Sequence, residues 1–269
     1  MKKLLYLSVA FGLLALGSCK KKETGGTNNG TSYTVAPNQN SVIIYFGGTW
    51  CAPCGAYGKP AKETIKNANP DVTILSCQLN SQSVTDPMNN TDANALATSF
   101  GISSVPTMYV GANNGLIKGY VGNGIVASSV QADINANKAL TPKAASKFTV
   151  TLSGDDMTVN TTTEFYADQT EEYYIAAYVT EDGLSYTQAS DGSVNKNIHD
   201  NVIRKNITPV SSFGEILKAA PTKGVVTKTL TGTLSPLWNK DKCKLHIVLW
   251  KKGTDGKYSI SNGVSGKIK

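Results

Sequence analysis

The chain has 269 residues, room for one large domain or two ordinary ones. Its 40% hydrophobic and 17% charged residues describe a soluble globular protein of somewhat polar character. The formal charge is +7, but the lysines are scattered and form no basic stripe interleaved with aromatics, which excludes a nucleic-acid partner.

The N-terminus reads as a targeting segment. Lys2 and Lys3 precede an apolar stretch, Leu4 to Leu16, of signal-peptide length and too short to span a bilayer. It ends in Leu16-Gly17-Ser18-Cys19. That run resembles the bacterial lipobox, a Leu and two small residues before a Cys. The resemblance implies a signal peptide over 1–18 and a lipid anchor on Cys19, with the membrane as a partner. Two or more acyl chains anchor firmly where one does not. Lys20 is not the Asp associated with inner-membrane retention, so the expected location is the cell envelope, at the outer membrane. Residues 19–34 are rich in Lys, Gly and Asn without apolar periodicity, the composition of a flexible tether.

Residues 35–141 alternate strand and helix signals. Ser41 to Phe46 is a continuous apolar run, the pattern of a strand buried on both faces. Gly47-Gly48-Thr49 breaks it and leads to Trp50-Cys51-Ala52-Pro53-Cys54. Gly55 to Asn67 is a helix candidate, weakened by Gly55 and Gly58 and kinked at Pro60. Val72 to Leu79 is a second buried strand carrying Cys77, and Asn80 to Asn90 a polar loop. Thr91 to Phe100 predicts a helix with Ala93, Leu96, Ala97 and Phe100 on one face, stopped by Gly101. Ser103 to Val110 is a turn into a strand. Asn113-Asn114-Gly115 is a hairpin turn into the return strand Leu116 to Val121. Ile125 to Leu140 predicts a closing helix with Ile125, Val126, Val130 and Ile134 together.

After Thr141 the pattern changes. Lys147–Leu152, Met157–Phe165, Tyr173–Val179, Val202–Thr208, Val225–Gly232, Cys243–Trp250 and Tyr258–Ser261 are strand candidates separated by Gly, Asp, Asn and Pro. Many short strands with turn signals predict an all-β, immunoglobulin-like sandwich over 142–269.

A Cys-x-x-Cys pair between a strand and a helix places two thiols at a helix N-terminus, where backbone N–H groups favour a thiolate. A zinc knuckle would need four ligands, and no second pair exists; metal is not expected. With Gly101-Ile102-Ser103-Ser104-Val105-Pro106-Thr107 downstream, the stretch from Ser41 to Leu140 resembles the thioredoxin superfamily. The resemblance implies an α/β thioredoxin-like fold and a cofactor-free, redox-active Cys51–Cys54 disulfide. It also implies a cis Val105–Pro106 bond beside the pair, where backbone can pair with a substrate strand. Cys51 is the expected exposed nucleophile, Cys54 the more buried resolving thiol, and Trp50 an apolar contact surface. Ala52-Pro53 resembles the Cys-x-Pro-Cys of reducing members, including the membrane-tethered thioredoxin-like proteins of the bacterial envelope. The expected partners are a protein disulfide client and an envelope electron donor. Two departures stand out. Tyr45 occupies the position of the family's buried Asp, leaving Glu63 or water as proton acceptor for Cys54, and Pro60 lies one residue late.

His199-Asp200-Asn201-Val202-Ile203-Arg204, taken with the lipobox and the thioredoxin-like half, resembles the Omp28-related outer-membrane lipoproteins of Bacteroidetes. His199 and Asp200 read as solvated surface, Arg204 as a partner for a carboxylate, and Cys77 and Cys243 as buried inert thiols. The competing reading is a non-catalytic binding or scaffolding lipoprotein in which Cys51–Cys54 is a structural bond.

Overall fold

In the computed structural model of the protein, which describes residues 34–111, 117–190 and 198–269, the apolar run after Ser41 becomes β1 (Val42–Gly47), buried on both faces. The chain then passes one π-helical turn (Cys54–Gly58), α1 (Lys59–Ala68) and β2 (Thr73–Gln78). It continues through α2 (Thr91–Ser99), β3 (Thr107–Gly111), β4 (Ile117–Val121) and α3 (Ala127–Lys138). β1 pairs parallel with β2 and antiparallel with β3, and β3 pairs antiparallel with β4. The predicted Asn113–Gly115 turn lies outside the described residues.

Strand alternation sends β1 side chains to two cores. Ile43 and Tyr45 meet Ala61, Ile65, Val130 and Ile134 of α1 and α3. Val42, Ile44 and Phe46 meet Ala93 and Leu96 of α2. Asn90 caps α2, its Oδ1 accepting from Ala93 N at 2.9 Å. Gly101 follows α2 with φ +60°, a conformation glycine adopts freely. The closing helix begins later than its periodicity predicts, because Val126 is its extended N-cap residue and points out. Pro60 does not interrupt α1. It falls in the first turn, and the π turn before it lets Lys59 N–H reach back to Cys54 O, so the missing proline N–H breaks no ladder there.

Residues beyond 141 are mostly strand: β5 (Ala144–Ser153), β6 (Asp156–Phe165), β7 (Glu172–Glu181), β8 (Leu184–Ser185), β9 (Ile198–His199), β10 (Val202–Asn206), β11 (Glu215–Lys218), β12 (Gly224–Thr233), β13 (Cys243–Lys252) and β14 (Tyr258–Lys267). Their sheets are mixed and open rather than a self-contained pair. β12-β6-β5 form a three-stranded antiparallel layer. The other strands join the first sheet, in the order β14-β13-β7-β10-β2-β1-β3-β4 with β11 on β7. The join is parallel, Val202 opposite Ser76, with Ser76 N donating to Asn201 O at 2.8 Å. Its physical reason lies in β2, which is buried on both faces and would otherwise leave an open ladder edge; β10 closes it.

β7 and β13 therefore serve two cores. Tyr173, Ile175, Ala177, Val179, Leu245, Ile247 and Leu249 face the three-stranded layer. Ala176, Tyr178, Val248 and Trp250 face the other way and share one core with Phe46, Leu75 and Leu96. Cys77 and Cys243 are buried, unbonded and in different cores. Among the described residues no helix is long and apolar enough to cross a membrane.

Candidate functional site

β1 ends in Gly47, and the loop that follows delivers Cys51 to the head of the helical segment. Cys51 N donates to Gly48 O at 3.1 Å, closing a turn. Gly48 is required there: a Cβ would fall 2.5 Å from Trp50 Nε1 and 2.9 Å from Leu79 O. Cys51 and Cys54 are joined by a disulfide, their Cα atoms 5.2 Å apart. Cys54 N lies 3.1 Å from Cys51 Sγ and also 3.1 Å from Cys51 O. That N–H is placed to stabilise a Cys51 thiolate once the bond is reduced.

Val105–Pro106 is cis, and Val105 O lies 3.5 Å from Cys51 Sγ. Trp50 is half-buried with its indole N–H donating to Leu79 O at 2.7 Å, so its ring is fixed beside the pair. A groove of about 580 Å³ runs from Trp50 and Leu79 to Ile102, Ser104 and Val105. The structure thus brings Trp50, Cys51, Cys54, Val105 and Pro106 together, while Cys19 lies outside the described residues. Cys51 is not exposed as expected: it is 3% exposed, against 0% for Cys54.

The family model described as Thioredoxin matches residues 27–136. The chain carries a thioredoxin-like domain. Over 84 residues this domain is 33% identical to a Streptomyces coelicolor protein called thioredoxin 2, covering 31% of this chain and 53% of that one. Over 81 residues it is 31% identical to a Caenorhabditis elegans thioredoxin-2, covering 30% and 48%. The chain spans about half the length of the curated relatives it matches. Most of the chain, 87%, also superposes on 76% of HBP35 of Porphyromonas gingivalis, with a TM-score of 0.67 at 16% identity, a likeness of fold.

A domain of this type works through its disulfide and no cofactor. Among the described residues no His, Cys, Asp and Glu side chains cluster as a metal site would require. Beneath the pair, Tyr45 is buried, and a Cβ at Gly58 would fall 2.6 Å from its hydroxyl and 2.8 Å from Pro106 Cβ. Burial, with the Glu63 charge second, holds the Tyr45 phenol well above its usual range, so it stays protonated. Lys62 Nζ sits 5.2 Å from the centre of the Tyr45 ring and donates to Ser76 Oγ at 3.0 Å and Asp200 O at 3.2 Å. Burial pushes the Lys62 ammonium down to about 8, against the pull of Asp200 and Glu63. Glu63 is paired with Lys59 at 2.6 Å rather than standing free as a proton acceptor.

Sequence reasoning missed two residues at the loop. Asp86 Oδ2 accepts from Thr49 N at 2.6 Å and Thr49 Oγ1 at 2.9 Å. On the other side Gln188 Nε2 lies 3.0, 3.2 and 3.1 Å from Gly48 O, Thr49 O and Cys51 O. Neither sits in a motif, and a polar residue in a polar loop gives no local signal. His199 also differs from expectation: it is 1% exposed, with Nε2 donating to Tyr186 O at 2.9 Å, and burial lowers its pKa. Asp200 accepts from Lys66 Nζ and Gly183 N, both at 2.8 Å. Arg204 does meet a carboxylate, Glu181, at 3.4 Å, and its guanidinium lies over Trp238. Burial raises both free thiols, Cys243 to about 12 and Cys77 further, which keeps them protonated and unreactive.

Proposed function

We propose that this protein is a thiol–disulfide oxidoreductase that reduces protein disulfides through Cys51 and Cys54, held in the cell envelope by a lipid on Cys19. The observation that carries the reading is the bonded Cys51–Cys54 pair at a helix start, with Cys54 N–H on the Cys51 sulfur and Val105 O beside it. In the reduced protein the Cys51 thiolate attacks one sulfur of a client disulfide. The client's other sulfur leaves as a thiolate and takes a proton. Cys54, losing its proton, then attacks Cys51 Sγ, which frees the second client thiol and restores Cys51–Cys54. Two electrons pass to the client, so an envelope dithiol must return two to the pair. Ala52-Pro53 between the cysteines supports the reducing direction. Leu16 to Cys19 supports the lipid anchor, and Lys20 the outer membrane. The motif from His199 to Arg204 supports kinship with the Omp28-related lipoproteins of Bacteroidetes.

The test is reduction of insulin disulfides with a dithiol donor. Wild type should turn over, and Cys51→Ser should fall to the uncatalysed rate; equal rates end the enzyme reading. Cys54→Ser should accumulate mixed disulfides with clients in cells and so name them. A second reading, a scaffold with a static Cys51–Cys54 staple, is favoured by the 3% exposure of Cys51 and by Tyr45 in place of an acid. A reduction potential well below about −300 mV would mark that structural bond.

A further inference from the structure

The segment after β8 crosses from the β-rich half to the cysteine loop of the thioredoxin-like domain. It is held from behind by His199 Nε2–H on Tyr186 O at 2.9 Å. It is held in front by Ala189 N, which donates to Thr49 O at 2.8 Å. Between them Gln188, 5% exposed, points its amide at Gly48 O, Thr49 O and Cys51 O. Two amide protons are shared among three carbonyls. With Asp86 bonded to Thr49 from the opposite side, residues 48–51 are fixed on both flanks. A contact so far apart in sequence, seated on the loop that carries the nucleophile, is a built feature. Cys51 is 3% exposed, and the Trp50–Val105 groove opens beside the pair.

We propose that Tyr186–Ser190 is an internal cover on the Cys51–Cys54 loop and that Gln188 is a specificity-determining residue, excluding folded protein surfaces while admitting small thiols and extended peptides. The inference rests on the oxidoreductase reading. At about 580 Å³ the groove is the size of a small-molecule site. A broad folded surface that reaches Cys51 displaces Gln188, whose amide then loses its bonds to Gly48 O, Thr49 O and Cys51 O.

The experiment follows reduction of Cys51–Cys54 itself, by native alkylation and mass, in the oxidised full chain. Two reductants are compared: dithiothreitol and a separately purified, reduced bacterial thioredoxin. Each closes its own dithiol to a disulfide and passes two electrons and two protons to Cys51 and Cys54. Gln188→Ala should raise the rate with the protein reductant about tenfold, as expected for losing one to two net hydrogen bonds, and the dithiothreitol rate less than about twofold. Gln188→Glu, which keeps the size and removes the donor, should behave like Gln188→Ala. An unchanged protein-reductant rate in either variant, or an equal rise with both reductants, overturns the proposal. Because no client turns over in this assay, a failed insulin assay beside a shifted Gln188→Ala rate would sink the reductase reading and leave the cover standing.

Discussion

Tyr45 and Gly58 set the space beneath the cysteine pair. Gly58 is helical at φ −67°, so alanine suits its backbone and would gain about 1 kcal/mol of helix propensity. A Cβ there, however, would fall 2.6 Å from the Tyr45 hydroxyl and 2.8 Å from Pro106 Cβ. Overpacking of this kind costs about 1–3 kcal/mol, so Gly58→Ala should lower stability by roughly 1 kcal/mol net. Urea unfolding checks it, and a stabilised Gly58→Ala would mean that Tyr45 moves aside freely. The position of Tyr45 was legible in the sequence because β1 and the Cys pair fix the register. Its partner Lys62 was not, since nothing local says that a helical lysine turns inward onto a strand. His246 has the same lesson. Its imidazole bridges Thr180 Oγ1 at 2.8 Å and Ser265 Oγ at 2.7 Å, and burial pushes its pKa down to about 3. Between pH 6.5 and about 3 the unfolded chain binds a proton that the folded chain refuses. Stability from this group is therefore whole above pH 6.5 and falls as the pH drops through that window. The urea midpoint of His246→Gln should lose less than wild type between pH 7 and 4, a slope smaller by about one proton. Parallel curves would rule out a neutral buried His246.

At the level of elements, the strands and helices were legible where apolar periodicity is strong, as in Val42–Phe46 and Tyr173–Val179. Their pairing was not. The ladder that joins β2 to β10 is one bridge between residues far apart in sequence, and both strands read equally well as members of separate sheets. α2 strengthens that junction. Asn90 accepts from Ala93 N with Oδ1 and donates to Ile203 O in β10 with Nδ2 at 2.6 Å. Asp92 Oδ2 accepts from Asn206 N at 2.9 Å. One asparagine thus caps a helix and pins it to the strand that closes the sheet. Asn90→Ala should cost about 1–2 kcal/mol, the upper part of the range for a lost N-cap. Asn90→Asp keeps the cap acceptor and loses the donor to Ile203, so its loss should be intermediate. If Asn90→Asp matches wild type in urea unfolding, the bond to Ile203 carries no stability and α2 is held by Asp92 on Asn206 N and by its apolar face.

The whole molecule binds its two halves through core, backbone and cover at once. Phe46, Leu75 and Leu96 of the thioredoxin-like domain share a core with Tyr178, Ile203, Val248 and Trp250. β14, at the end of the same sheet, comes so close to β1 and β3 that a Cβ at Gly263 would fall 2.5 Å from Val42 Cγ2, and one at Gly111 2.6 Å from Ile260. The chain before β1 is tied down as well: Val35 N donates to Glu164 Oε2 at 2.7 Å, and Asn40 N to Asn262 Oδ1 at 3.0 Å. The glycines at these crossings make room for a neighbour that only the packed sheet brings there. A fragment of residues 34–141 would keep every element of the thioredoxin-like domain. It would lose β10 from the edge of β2, the apolar cover of Leu75 and Phe46, and the Gln188 amide on the cysteine loop. Each fully buried aliphatic or aromatic side chain re-exposed costs about 1.5–3 kcal/mol, and several are re-exposed at once, against a total stability of about 5–15 kcal/mol. The fragment should bind a hydrophobic dye and unfold without a cooperative transition, while residues 34–269 unfold cooperatively. A fragment with a sharp urea transition near that of the longer chain would show that the shared core contributes little and that the β-rich half is an appendage. The dye and the transition are therefore measured on both lengths under identical conditions, with the Cys51–Cys54 bond intact in each, so that the redox state is not mistaken for the loss of the second half.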